Sequence, residues 1–142
     1  MKHPVFLSRY LFLIVTGVLL LGGCGVNPVT GSSEMSFVSE AEEIRIGEQQ
    51  YGPSQQSEGG LYVLDPELNR YVQRVGMRLA RASDRPELPY EFVVLNNSEP
   101  NAWALPGGKI ALNRGLLVLL ESESQLAAVL GHEIVHAAAR HG

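Results

Sequence analysis

The chain of 142 residues is 45% hydrophobic and 18% charged, which supplies the core of one small globular domain and excludes a disordered or collagenous chain. Eleven Lys and Arg stand against fifteen Asp and Glu, and the net charge of −4 argues against a partner held through nucleic-acid phosphates. One cysteine leaves no intrachain disulfide, so packing or a metal must stabilise the fold.

Lys2 and Arg9 precede the uncharged stretch Leu11 to Leu21, followed by Gly22, Gly23 and Cys24. This is the order of an export signal: charged, then apolar, then small. As a helix, the apolar stretch reaches about 16 Å, roughly half of a ~30 Å hydrocarbon core, so cleavage is expected rather than a permanent span. Leu21-Gly22-Gly23-Cys24 resembles the bacterial lipobox, whose cysteine is acylated and becomes the first mature residue. Residues 1–23 are therefore expected to be a lipoprotein signal peptide and 24–38 a lipidated tether. Two or more acyl chains give stable membrane attachment where one does not. Gly25 replaces the aspartate that, by the enterobacterial sorting rule, marks inner-membrane retention, so the expected location is the outer membrane, facing the periplasm.

From Cys24 to about Phe37, the Gly, Pro, Asn and Ser content predicts an extended segment. Ser39 and Glu42 form a capping box, which opens a short helix from Glu40 to about Tyr51 with Ile44 on its apolar side. Gly52 to Gly60 reads as a loop. Asp65-Pro66 starts a second helix to about Ala82, with Leu68, Tyr71, Val72, Val75 and Leu79 toward a core. Arg70, Arg74, Arg78, Arg81 and Arg85 form a basic stripe, read as a solvated face. A strand is expected over 90–95. Extended pieces at 102–105 and 109–113 flank Pro106-Gly107-Gly108, the composition of a tight hairpin. A short helix over 115–120 follows, and Ser122 with Gln125 opens the last helix, which carries Leu126, Val129, Leu130 and Ile134.

That helix contains His132-Glu133-Ile134-Val135-His136, an H-E-x-x-H pattern. Histidines four apart differ by about 40° in azimuth and about 6 Å along the axis, so both rings reach one ion beside the helix. His132 and His136 are the expected ligands of a Zn2+ ion, one per chain. Glu133 is the expected general base, taking a proton from a metal-activated water and passing it to the leaving amine. Ala137, Ala138 and Ala139 leave room nearby.

The strings NPVTG, SEAEEIRIGEQ, NAWALPGGKIALNRGLL and LAAVLGHEIVHAAARHG together resemble the zinc metallopeptidase family that includes the CAAX prenyl protease, the heat-shock protease HtpX and periplasmic BepA-type proteins. The likeness is strongest to lipid-anchored or periplasmic members, since hydrophobic spans of the integral ones are missing. It implies an α+β gluzincin domain over 39–142, with the active-site helix under a small, partly antiparallel sheet. It implies zinc held by His132, His136 and a downstream glutamate, with Glu133 as general base. Substrates would be misfolded or stalled envelope proteins, in outer-membrane protein quality control. Asn101 to Leu105 resembles the family strand that borders the cleft, where a peptide pairs through its main chain. Trp103 is either a subsite wall or a core aromatic.

A catalytic zinc needs a third protein ligand. Glu123 lies about 13 Å along the axis from His132, and Glu121 stands beyond it, so neither reaches. His141 points about 180° away from His132 if the helix continues, as the alanines favour. Glu99 is a remote candidate. The expectation is that the ligand lies downstream of Gly142, in a longer enzyme whose C-terminal part is missing here. Two other readings compete: a noncatalytic envelope lipoprotein that holds clients on an exposed strand edge, and a complete short chain with a weak two-histidine metal site.

Overall fold

The computed structural model describes residues 24–27, 29, 31, 33–35 and 38–140. The predicted signal peptide over 1–23 and His141 lie outside the described residues.

The N-terminal segment pairs with itself. β1 (Cys24–Val26) and β2 (Ser33–Met35) run antiparallel, with Cys24 opposite Met35. The extended tether expected here is a hairpin instead, closed by Asn27, whose Oδ1 accepts the N–H of Val29 at 2.9 Å. An Asx turn of this kind substitutes a side chain for a backbone turn.

α1 (Glu40–Ser57) is capped by Ser39, whose Oγ accepts the Glu42 N–H at 3.3 Å. It overruns the loop expected from Gly52. Pro53 lacks the N–H donor of an interior helix residue, yet the helix continues past it to a stop at Gly59 and Gly60, with φ of 89° and 76°. The Glu58 N–H closes the last turn on the carbonyls of Ser54 and Gln55.

α2 (Pro66–Ala80) is capped by Asp65, whose Oδ1 accepts the Leu68 N–H at 3.0 Å. It ends two residues before the expected Ala82. β3 (Glu91–Leu95), β4 (Ala102–Leu105) and β5 (Lys109–Asn113) form one sheet in the order β3-β5-β4. β3 is parallel to β5 and β4 is antiparallel to it. A 3-10 turn at Pro106–Gly108 joins β4 to β5, as Pro106-Gly107-Gly108 led one to expect. Gly107 and Gly108 have φ of 73° and 80°, and a Cβ on Gly107 would meet the Ile44 Cα at 2.8 Å. α3 (Arg114–Leu117) is a single turn, and α4 (Glu123–Ala138) is capped by Ser122, whose Oγ accepts the Gln125 N–H at 3.3 Å.

The result is an α+β fold with helices on both faces of the sheet. Phe92, Val94, Ile110 and Leu112 face Val72, Val75 and Ala80 of α2 and Leu126, Leu130, Ile134 and Ala137 of α4. On the opposite face, the Tyr51 ring of α1 lies edge-on to Trp103, with centroids 6.1 Å apart, and under Lys109 Nζ at 5.9 Å. Trp103 thus packs as a half-buried structural aromatic. β5 is buried along its whole length because both faces are covered. No described helix is long and apolar enough to cross a membrane.

Candidate active site

α4 turns Leu126, Leu130, Ile134 and Ala137 into the core. At about 100° per residue, His132 then faces away, His136 lies about 40° nearer the core, and Glu133 sits at its margin. The structure has this gradation: His132 is exposed, His136 half-buried and Glu133 8% exposed.

The two rings converge. His132 Nε2 and His136 Nε2 are 2.9 Å apart, with ring centroids at 4.5 Å and planes at 87°. Two nitrogens bound at 2.0–2.1 Å with a tetrahedral angle lie about 3.3 Å apart, so a small opening of the pair admits one zinc-sized ion. The donor chemistry fits as well, since imidazole nitrogens suit zinc. Glu133 makes no hydrogen bond or ion pair among the described residues, which leaves its carboxylate uncommitted for proton transfer.

No group of three or more His, Cys, Asp and Glu side chains suited to a metal occurs among the described residues. Glu123 is engaged elsewhere: the Tyr71 hydroxyl donates to it at 2.9 Å and Arg78 pairs with it. The hydrogen bond from Tyr71, then that from Arg78, holds its carboxyl below the usual range. Glu99 is exposed in its loop and belongs to no metal-binding group.

β4 forms one edge of the sheet, against which α4 packs. The Asn113 N–H donates to the Asn101 carbonyl at 2.9 Å, which fixes the alternation of this antiparallel pair. Trp103 and Leu105 therefore bond to β5, while the N–H and C=O of Ala102 and Ala104 point to the open edge. The other edge is closed: Gln73 Oε1 accepts the Phe92 N–H at 2.7 Å, Asn69 Oδ1 accepts the Val94 N–H at 2.9 Å, and the Val94 carbonyl accepts the Tyr62 N–H at 2.9 Å.

Sequence reasoning missed the groups that hold this assembly together. Glu43 and Arg85 are 4% exposed each, and both guanidinium Nη atoms reach the Glu43 carboxylate at 3.0 Å. Arg85 also donates to Glu40 at 2.9 Å. Its place in a solvated stripe is thereby corrected: it lies beyond the end of α2, where the chain turns back toward α1. Glu43 Oε1 further accepts the Gly107 N–H at 3.4 Å, and Oε2 pairs with Arg140 Nε at 3.3 Å. One carboxylate thus links α1, the β4–β5 turn and the end of α4. The only signal was a glutamate on the inward side of α1, beside Ile44.

The profile of Peptidase family M48 matches residues 66–142, more than half of the chain. The beta-barrel assembly-enhancing protease of Escherichia coli (strain K12) is 36% identical over 114 residues, covering 80% of this chain and 23% of that protein. The putative beta-barrel assembly-enhancing protease of Vibrio cholerae is 40% identical over 77 residues, 54% of this chain and 16% of that protein. The mitochondrial metalloendopeptidase OMA1 of Schizosaccharomyces pombe is 44% identical over 71 residues, 50% of this chain and 21% of that protein. The chain thus spans less than a quarter of the length of these relatives. The matched region contains the capped helix with His132, Glu133 and His136, the sheet and its open edge, and on that match the chain belongs to peptidase family M48.

Proposed function

We propose that this chain is the zinc-binding part of a membrane-anchored metalloendopeptidase of the bacterial envelope. The observation that carries the reading is the convergence of His132 Nε2 and His136 Nε2 to 2.9 Å beside the uncommitted Glu133. His132 and His136 would hold the ion, and a downstream glutamate outside these residues would complete the set. Bound there, zinc supplies Lewis-acid polarisation of the scissile carbonyl and brings the pKa of water to about 7.

The remaining work falls to the protein. The outward N–H and C=O groups of Ala102 and Ala104 pair with a substrate main chain, which orients it with little sequence preference. Glu133, at the margin between core and solvent, takes a proton from the attacking water and returns it to the leaving amine. Anchoring is read from Leu21-Gly22-Gly23-Cys24, with Cys24 acylated and the outer membrane as its location. The relatives named for beta-barrel assembly favour envelope proteins as substrates and a role in outer-membrane quality control.

The test uses the full-length protein. Glu133→Gln should abolish proteolysis of an unfolded reporter while zinc content stays at one per chain. Full activity in that variant would remove Glu133 from the mechanism. Client binding that survives chelation, with no cleavage at any stage, would support a noncatalytic role instead.

A further inference from the structure

The segment that carries Cys24 is docked on the helix that carries the two histidines. Asn27 is 6% exposed, and its Nδ2 donates to the carbonyl of Ala139, the C-cap residue of α4, at 3.3 Å. Its own carbonyl accepts the Gly31 N–H at 2.9 Å, and Cys24 to Val26 are paired with β2 at the same time. The hairpin is thus tied to the end of α4 through Asn27. Three residues of extended chain cover about 10 Å from Cys24 to Asn27. Ala139 lies about 4.5 Å along the helix axis from His136.

We propose, on the reading that Cys24 is lipidated, that this docking turns the anchor into a spacer of fixed length. It holds the His132–His136 centre within about 25 Å of the bilayer surface, the sum of those two paths, one side-chain contact and the reach of a histidine side chain. The substrate class follows from that reach. The site acts on polypeptide segments that lie on the membrane or have just emerged from it, and chains further out are beyond it. An undocked leash over residues 24–38 would reach further, to about 50 Å when fully extended.

The experiment compares the acylated full-length protein with a variant carrying a 20-residue Gly/Ser insert between Cys24 and Gly25, which adds roughly 25 Å of flexible reach. Both are placed in phosphatidylethanolamine/phosphatidylglycerol vesicles that also hold a single-span reporter with a long unfolded stalk of identical repeats. Mass spectrometry maps the cuts along the stalk. Cuts by the native protein should be confined to the repeats nearest the membrane, and those by the variant should extend outward. Both proteins should cleave the free stalk peptide equally, which shows that the insert spares the fold. An unchanged cut map in an acylated protein would overturn the spacer while leaving the anchor standing. A Cys24→Ser protein that still floats with the vesicles would overturn the anchor reading, and the spacer with it.

Discussion

The Arg85 guanidinium meets the Glu43 carboxylate edge to edge, with Nη1 and Nη2 each 3.0 Å from an oxygen and both side chains almost wholly out of solvent. A bidentate pair of this kind is directional as well as strong. Removing the Glu43 charge leaves the buried Arg85 with only the half-exposed Glu40 as its anionic partner. Glu43→Gln should therefore lower stability by about 3–5 kcal/mol in chemical denaturation. Adding Arg85→Met should recover part of that loss, because the buried charge left with Glu40 alone is gone. A double variant no more stable than Glu43→Gln alone would show that the pair contributes by charge only through its surroundings.

Gly47 is where α1 meets the β4–β5 turn. A Cβ placed there would stand 1.9 Å from the Pro106 carbonyl oxygen, which is backbone and has little freedom to retreat. Gly47→Ala should push α1 off the turn and cost about 1–3 kcal/mol or more. Gly131 of α4 has nothing within 4 Å of its Cβ position, so Gly131→Ala is the matched control and should be neutral or slightly stabilising. Equal melting temperatures for the two variants would contradict this contact.

The buried Tyr51 predicts an alkaline limit to stability. Its hydroxyl donates to the Ile110 carbonyl at 3.0 Å, and burial, with the nearby Glu91 charge, raises its pKa. Tyr90 is raised too, chiefly by burial. A raised folded-state pKa means that the native state keeps a proton that the unfolded state gives up from about pH 10. The associated stability is intact below pH 10 and falls as pH rises above it. Tyr51→Phe should lose about 1 kcal/mol at neutral pH with the hydrogen bond, and should flatten the decline above pH 10. Urea midpoints measured across pH 8–11 give both quantities.

Local rules made much of this legible. Ser39, Asp65 and Ser122 cap the helices that they announce, and Pro106-Gly107-Gly108 turns β4 into β5. The histidine pair is visible for the same reason, since its geometry depends only on the helical repeat. The misreadings share a different origin. Arg85 looked like one more solvated arginine because Glu43 stands 42 residues earlier, and Asn27 looked like a tether residue because Ala139 is 112 residues away. Gly52-Pro53 carried a break signal that the surrounding helix overrode. Side-chain pairing across such separations has no periodicity to betray it.

The open edge of β4 yields a prediction that separates binding from chemistry. Ala104 points its N–H and C=O away from β5, so a proline there removes no bond within the sheet, and edge strands tolerate proline. It does remove a donor that a substrate main chain would use. One such hydrogen bond contributes about 0.5–1.5 kcal/mol, which corresponds to as much as roughly tenfold in affinity. On the proposed function, Ala104→Pro in the full-length protein should raise KM by up to about tenfold with a smaller change in kcat, because Glu133 and the histidines are untouched. Leu105→Pro would instead break a bond to β5 and should lower stability as well. Unaltered KM in an Ala104→Pro protein of native stability would mean that substrates do not extend the sheet at this edge, and that the histidine centre receives them by another route.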